Sequence, residues 1–384
     1  MNKKLTIHFF VQSVHTQGTY FRYHNFAIGL HNAGHTVRVF GATYLKNEKS
    51  EIQVRDGIEY HITACYFPLQ ALFGQWGHPL AALKRIFKKY PACDVSHVFQ
   101  PHLSALLPWR LHRRKAKLNV YDWDDLWTDG LMKKGTSFLG RWSYNQIKSI
   151  ERIAPKLAQL TTVCSRFLEE KSITNGAVKT SIIYNGFWPA PLNTREESRR
   201  KMQFEEGVLY IGFMGRTVDE IKWCFALLES AIASFPTVRM ALCGMPAEVL
   251  SDIAEPLRSR IDYKGIMPPI ETRDFANAID MGLLPLEDNL FNQSRFPIKF
   301  AEYLAVGTPV SCTNVGECAN IAKEYPFVKI SGTAVSDWVE STKQMLQQII
   351  DNQLIPVDKQ KIEEKLSWVN ITKGLEEEYL QALS

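Results

Sequence analysis

Three groups of residues have types and spacings suited to chemistry. Tyr121-Asp122-Trp123-Asp124-Asp125 places three carboxylates directly after the apolar run Leu118-Asn119-Val120. At a strand end, Asp122 or Asp124 could orient a hydroxyl or share its proton, a task in which reach matters before a shifted pKa. The same carboxylates could instead cap the next helix, and Asp122-x-Asp124 also has the form of a divalent-metal pair beside a diphosphate. Arg216 and Lys222 flank the passage from the apolar run Val208 to Met214 into a helical pattern. Two cations and free backbone N–H groups at such a turn suit a diphosphate, although exposed Arg and Lys are the default of any surface. The third group lies in Phe291 to Val310, where Glu302 interrupts an apolar helical pattern. Glu302 either pairs with Lys299 one turn back or is aimed with its helix amino terminus at a ligand, where an ionised carboxylate can accept from two hydroxyls at once.

The elements that must position these residues alternate between strand and helix. The run Leu5 to Val11 predicts a strand, Gln17-Gly18-Thr19 a turn into a helix ending at Gly34, and His35 to Gly41 the next strand. Further strands are expected at Ser96–Phe99, Leu118–Tyr121, Leu160–Cys164 and Ser181–Tyr184. Pro189-Ala190-Pro191 and the charged run Arg195 to Lys201 read as a linker, after which the pattern restarts at Val208. Strands at Val238–Gly244, Ile261–Gly265 and Met281–Pro285 follow, and Pro297 and Gly307-Thr308-Pro309 bound a short helix around Glu302. The expected architecture is α/β: an amino-terminal Rossmann-like domain over residues 1–186 and a second over 187–365, facing across a cleft at the carboxyl ends of their strands. A last helix over 366–384 carries one apolar stripe, Trp368, Ile371, Leu375 and Tyr379, with which it is expected to cross back to the first domain.

With 384 residues, 45% of them hydrophobic and 22% charged, the chain has the composition of a globular protein with two cores. Residues 1–186 hold 25 Lys and Arg against 12 Asp and Glu, whereas the remainder holds 20 against 28, so balances of +13 and −8 give the halves opposite characters. The seven cysteines are scattered without a Cys-x2-Cys pair, the usage of reduced thiols. His31 and His35 have zinc-pair spacing, but Gly34 ends the helix between them and parts their side chains. The short run after Lys4 lacks a cleavage site and reads as a strand, and no window is long and apolar enough to span a membrane. A cytoplasmic protein, peripheral at the inner face of the plasma membrane, is expected.

The landmarks Gly18, Gly34-His35-Thr36-Val37, Tyr184-Asn185-Gly186, Gly215-Arg216-x5-Lys222, Gly244, Gly265 and Glu302-Tyr303-Leu304-Ala305-Val306-Gly307-Thr308-Pro309, in this order, resemble the GT-B fold glycosyltransferases, and in particular the retaining enzymes of glycosyltransferase family 4. The resemblance implies transfer of a sugar from a nucleotide-sugar donor to an acceptor hydroxyl, with Arg216 and Lys222 on the donor diphosphate and Glu302 on the ribose. It implies that Gly18 lets backbone approach the donor phosphate and that Met245 stands in a loop that holds the nucleobase. The partner of Glu302 in the family's pair of acids falls on Ser294, which leaves Asn292, Ser294 and Arg295 as candidates for the missing contacts and Lys299 at the helix start. Many relatives carry a histidine near Asp122, so the base is open between Asp122 and Asp124. No cofactor and no metal are expected, since Arg216 and Lys222 supply the positive charge. A nucleotide-sugar epimerase, a phosphorylase and a non-catalytic partner subunit are the alternatives of the same fold.

One surface remains. Leu80, Leu83, Ile86, Phe87 and Tyr90 alternate with Lys84, Arg85, Lys88 and Lys89, and a second basic run includes Arg113 and Arg114, with Tyr66-Phe67, Leu72-Phe73 and Trp76 nearby in sequence. Such a face suits an anionic membrane and a glycan or lipid-linked glycan acceptor, or else a core-packed helix with a solvated side. Nucleic acid is disfavoured because no binding motif accompanies the charge.

Overall fold

The computed structural model describes residues 3–68, 79–189, 193–216, 218–353 and 357–384. Leu72, Phe73, Trp76, Ala190 and Pro191 lie outside the described residues. The chain divides into two compact units, residues 1–185, 293–295 and 368–384, and residues 186–292 and 296–367.

The first unit is built on an eight-stranded sheet. Its strands are β1 (Thr6–Ser13), β2 (Thr36–Thr43), β3 (Glu51–Arg55), β4 (Ile58–Ala64), β5 (Cys93–Phe99), β6 (Ala116–Trp123), β7 (Leu160–Val163) and β8 (Thr180–Ile182), in the order β3-β4-β2-β1-β5-β6-β7-β8. All neighbours are parallel except the hairpin β3/β4. That hairpin is an addition to the elements expected from sequence, although Asp56-Gly57, both with positive φ, is the dipeptide that a two-residue hairpin turn requires. The central strands are buried on both faces, which is why they read as continuous apolar runs. The last helix, Trp368–Leu383, packs in this unit. Trp368 meets Phe26 edge to face at 5.7 Å, and the Tyr379 hydroxyl lies 2.6 Å from His97 Nδ1.

The second unit carries a six-stranded, all-parallel sheet in the order β11-β10-β9-β12-β13-β14. Its strands are β9 (Leu209–Met214), β10 (Val238–Cys243), β11 (Ile261–Tyr263), β12 (Met281–Leu284), β13 (Val310–Thr313) and β14 (Val328–Ser331). The order reverses between β9 and β12, the place where a doubly wound sheet opens a crevice at its strands' carboxyl ends. The helix Ile298–Val306 begins after Pro297 and stops at Gly307. It is fixed beside that reversal by Tyr303, whose hydroxyl donates to the Gly212 carbonyl at 3.2 Å and accepts from the Met214 N–H at 3.1 Å. Gly282 on β12 makes room, since a Cβ there would stand 2.9 Å from the Tyr303 ring. Among the described residues no helix is long and apolar enough to cross a membrane.

Candidate active site

In the first unit, the carboxyl end of the sheet is organised by a buried ion pair. Arg22, in the helix Tyr20–Asn32, meets Asp122 at the end of β6 through two bonds of 2.8 and 2.9 Å. Both side chains are almost wholly removed from solvent. Thr162 of β7 donates to the same carboxylate at 2.6 Å, and Arg22 also donates to Asn185 at 3.1 Å. Burial alone would lower the guanidinium pKa, but Asp122 outweighs it and raises it further. Asp122, expected at the reaction centre, is thus committed to holding β6, β7 and the first helix together.

Asp124 is also buried, at 6% exposure, and accepts from the Gln100 side chain at 3.2 Å. Burial, with Asp125 and Asp122 close by, holds its carboxyl well above the usual range. The carboxylate that lines an open pocket is Asp125, which its neighbours in sequence overshadowed. That pocket, of about 280 Å³, also has Gln12, Gln17, Gly18, Gln100 and Trp127 in its wall. Amide and carboxylate groups beside aromatic faces are the mixture that holds a polyhydroxylated ring. Burial raises the Asp125 pKa, and Arg295 and Arg22 oppose the shift. The Trp127 wall is held from behind by Glu151, which accepts from the Trp127 N–H at 2.8 Å and from the Thr128 N–H and hydroxyl.

The second unit brings a different set to its carboxyl edge. Arg216 follows β9 and is exposed, and Lys222 stands in the helix Val218–Ala231, exposed and paired with Asp219 at 3.2 Å. Lys299 does not pair with Glu302. Its ammonium lies 2.5 Å from Glu220 and 4.1 Å from the centre of the Phe213 ring, at the end of β9. Glu302 accepts from the Thr272 hydroxyl at 3.3 Å. Burial pushes its carboxyl up to about 7, against the pull of Thr272 and Arg273.

Three donor-side candidates occupy other places. Met245 packs fully buried in the core of this unit, its carbonyl accepting from Tyr263 at 2.6 Å, so its side chain is not offered to a ligand. Asn292, 4% exposed, is bound to its own turn through Glu287 and Asn289. Ser294 is fully buried in the first unit, where its hydroxyl accepts from the Leu126 N–H at 3.2 Å and its carbonyl from Ser165 at 2.5 Å. A glutamate at this position would bury its carboxylate among these partners. Arg295 is left as the charged neighbour of Asp125.

The basic face also differs in one member. Arg85 is buried and donates to the Val11 and Phe40 carbonyls at 2.8 and 2.7 Å, so it braces the sheet. Lys84, Lys88, Lys89 and Arg114 are exposed and Arg113 half-buried. The helix Pro79–Ile86 buries Ala81, Ala82 and Arg85, whereas Leu80, Leu83 and Phe87 are exposed, Phe87 by 83%.

Residues 18–189 match the family Glycosyltransferase Family 4, and residues 205–352 match Glycosyl transferases group 1. The chain belongs to the glycosyltransferases of the GT-B fold. Among its relatives, TuaH of Bacillus subtilis (strain 168), named for a glycosyltransferase of teichuronic acid biosynthesis on a provisional footing, is 27% identical over 256 residues, or 65% of this chain. The match spans 62% of the length of that protein. The sucrose-phosphate synthase of Thermosynechococcus elongatus superposes with a TM-score of 0.74 at 16% identity, covering 98% of both chains. Anabaena Alr3699/HepE, solved with UDP and glucose, gives 0.66 at 15% identity over 97% of this chain and 99% of its own.

Two outcomes are expected. Arg22→Met leaves Asp122 buried without its partner and should cost about 3–5 kcal/mol in urea unfolding, most of it regained in Arg22→Met/Asp122→Leu. Glu302 has a folded pKa raised to about 7 from an ordinary 4.5, so it subtracts stability as pH rises between those values. The melting temperature of Glu302→Gln should therefore gain on that of the wild type between pH 5 and pH 8; a constant gap would show that Glu302 titrates normally.

Proposed function

We propose that the chain transfers a sugar from a nucleotide-sugar donor bound by the second unit to an acceptor hydroxyl bound by the first. The observation that carries this reading is the reversal point of the second sheet, where Arg216 and Lys222 follow β9 and Glu302 stands on the helix Ile298–Val306. The two cations suit the departing diphosphate, whose negative charge grows as the bond to the sugar breaks. Glu302 suits the ribose hydroxyls. Positive charge from Arg216 and Lys222 makes the transfer independent of a metal at the diphosphate. In the first unit, Asp125 takes over from Asp122 and Asp124 as the carboxylate that orients the acceptor, and the departing phosphate itself accepts the acceptor proton, with retention of configuration.

The acceptor is a lipid-linked glycan or glycolipid of a bacterial surface polysaccharide, met at the inner face of the plasma membrane. This rests on the exposed stripe Leu80, Leu83 and Phe87 among Lys84, Lys88 and Lys89. Apolar side chains inserted at an interface, with cations near anionic lipid contributing about 1 kcal/mol each, are a sufficient peripheral anchor.

Calorimetric titration with UDP-, GDP- and ADP-sugars, with and without chelator, should find one donor whose affinity is unchanged by chelation. Arg216→Ala and Lys222→Ala should each weaken it at least tenfold; full turnover in both would remove the donor assignment. No binding to any nucleotide sugar would favour a non-catalytic subunit, and product from donor alone an epimerase. The wild type should sediment with vesicles containing anionic phospholipid and not with purely zwitterionic ones, whereas Leu83→Ser/Phe87→Ser should remain in the supernatant. Equal sedimentation of this variant would refute the membrane face.

A further inference from the structure

His8, Cys93 and His112 form a cluster that sugar transfer does not use. His8 lies within β1, Cys93 opens β5 and His112 ends the helix Leu103–His112. All three are buried, and one ligand atom from each lies within 4.8 Å of the others. The His8 ring is fully buried, and neither Nδ1 nor Nε2 has a hydrogen-bond partner. Native interiors rarely leave such atoms bare, and an ion is one of the few explanations when they do.

The spacing agrees with that explanation. Cys93 Sγ is 3.6 Å from His112 Nε2. Tetrahedral zinc, with Zn–S of about 2.3 Å and Zn–N of about 2.0–2.1 Å, separates a sulfur and a nitrogen ligand by about 3.6 Å. Phe40 packs edge-on to His8 at 5.0 Å, and Phe10 and Tyr90 flank His112 at 5.5 and 5.7 Å, so the two rings are held in an aromatic shell. A neutral imidazole offers one lone pair to a metal and a cysteine offers its thiolate, so the three side chains are a chemically suitable set of donors.

We propose that His8, Cys93 and His112 bind one zinc ion, with water in the fourth position. On binding, the Cys93 thiol releases its proton to solvent and the thiolate forms the Zn–S bond; the imidazoles bind neutral, and no electron is transferred. The ion ties β1, β5 and the helix Leu103–His112 together away from the strands' carboxyl ends, so it is structural and separate from the diphosphate site.

Full-length protein, stripped by chelator and dialysed, is titrated with Co²⁺ as a spectroscopic probe. One equivalent should produce tetrahedral visible bands and a thiolate-to-cobalt charge-transfer band, which one equivalent of Zn²⁺ abolishes. Zn²⁺ should raise the melting temperature. Cys93→Ser should lose the charge-transfer band, and His8→Gln should weaken Co²⁺ binding at least tenfold, both with an unchanged circular dichroism spectrum. Absence of the band in the wild type overturns the proposal. So does its persistence in Cys93→Ser, which would assign it to another of the seven thiols; should Cys93→Ser not fold, undiminished Co²⁺ affinity in His8→Gln does the same.

Discussion

The Arg22–Asp122 pair is the constraint on which the first unit's working end depends. Two opposite charges removed from water cost more than they return unless every remaining hydrogen-bonding position is filled. Here Thr162 and Asn185 supply further bonds, so the network joins the first helix, two strands and the chain as it leaves the unit. Its value is less in net stability than in fixing one arrangement, because removing any member leaves a buried charge or donor exposed to an apolar surround. Asp125, which lines the pocket, follows three residues after this anchored carboxylate.

The second unit relies on shape rather than charge. Tyr303 enters the space that Gly282 leaves open and bonds to β9 backbone at Gly212 and Met214. This sets the height of the helix bearing Lys299 and Glu302. Lys299 is paired with Glu220 and Lys222 with Asp219, while burial raises the Glu302 carboxyl to about 7.

Much of this was legible in the sequence, for identifiable reasons. Strands buried on both faces announce themselves as apolar runs closed by glycine, and the doubled α/β pattern and the short helix between Pro297 and Gly307 follow from such local signals. The hairpin β3/β4 was announced by Asp56-Gly57 and by the alternation Ile58, Tyr60 and Ile62, which is buried in β4, whereas Ile52 and Val54 of β3 are exposed. Arg22 reads as a surface cation on an amphipathic helix; its partner is a hundred residues away, and no local pattern encodes that pairing. Ser294 was legible as a departure but not as a buried joint, and Met245 beside a glycine loop looked accessible until its neighbours in the core were known. His8, Cys93 and His112 share no motif spacing at all, since the pairing of β1 with β5 and the packing of the helix Leu103–His112 on these strands bring them together.

The assignment of residues 293–295 and 368–384 to the first unit has a consequence for how such proteins diversify. Neither unit is a continuous piece of chain, so a gene fusion cut once near residue 186 would not exchange one specificity cleanly for another. It would pair a new first unit with a foreign terminal helix and a foreign Ser294, and Phe26 and His97 would lose the Trp368 and Tyr379 that pack against them. Variation in the first unit should therefore proceed by substitution within its loops more readily than by shuffling of whole domains.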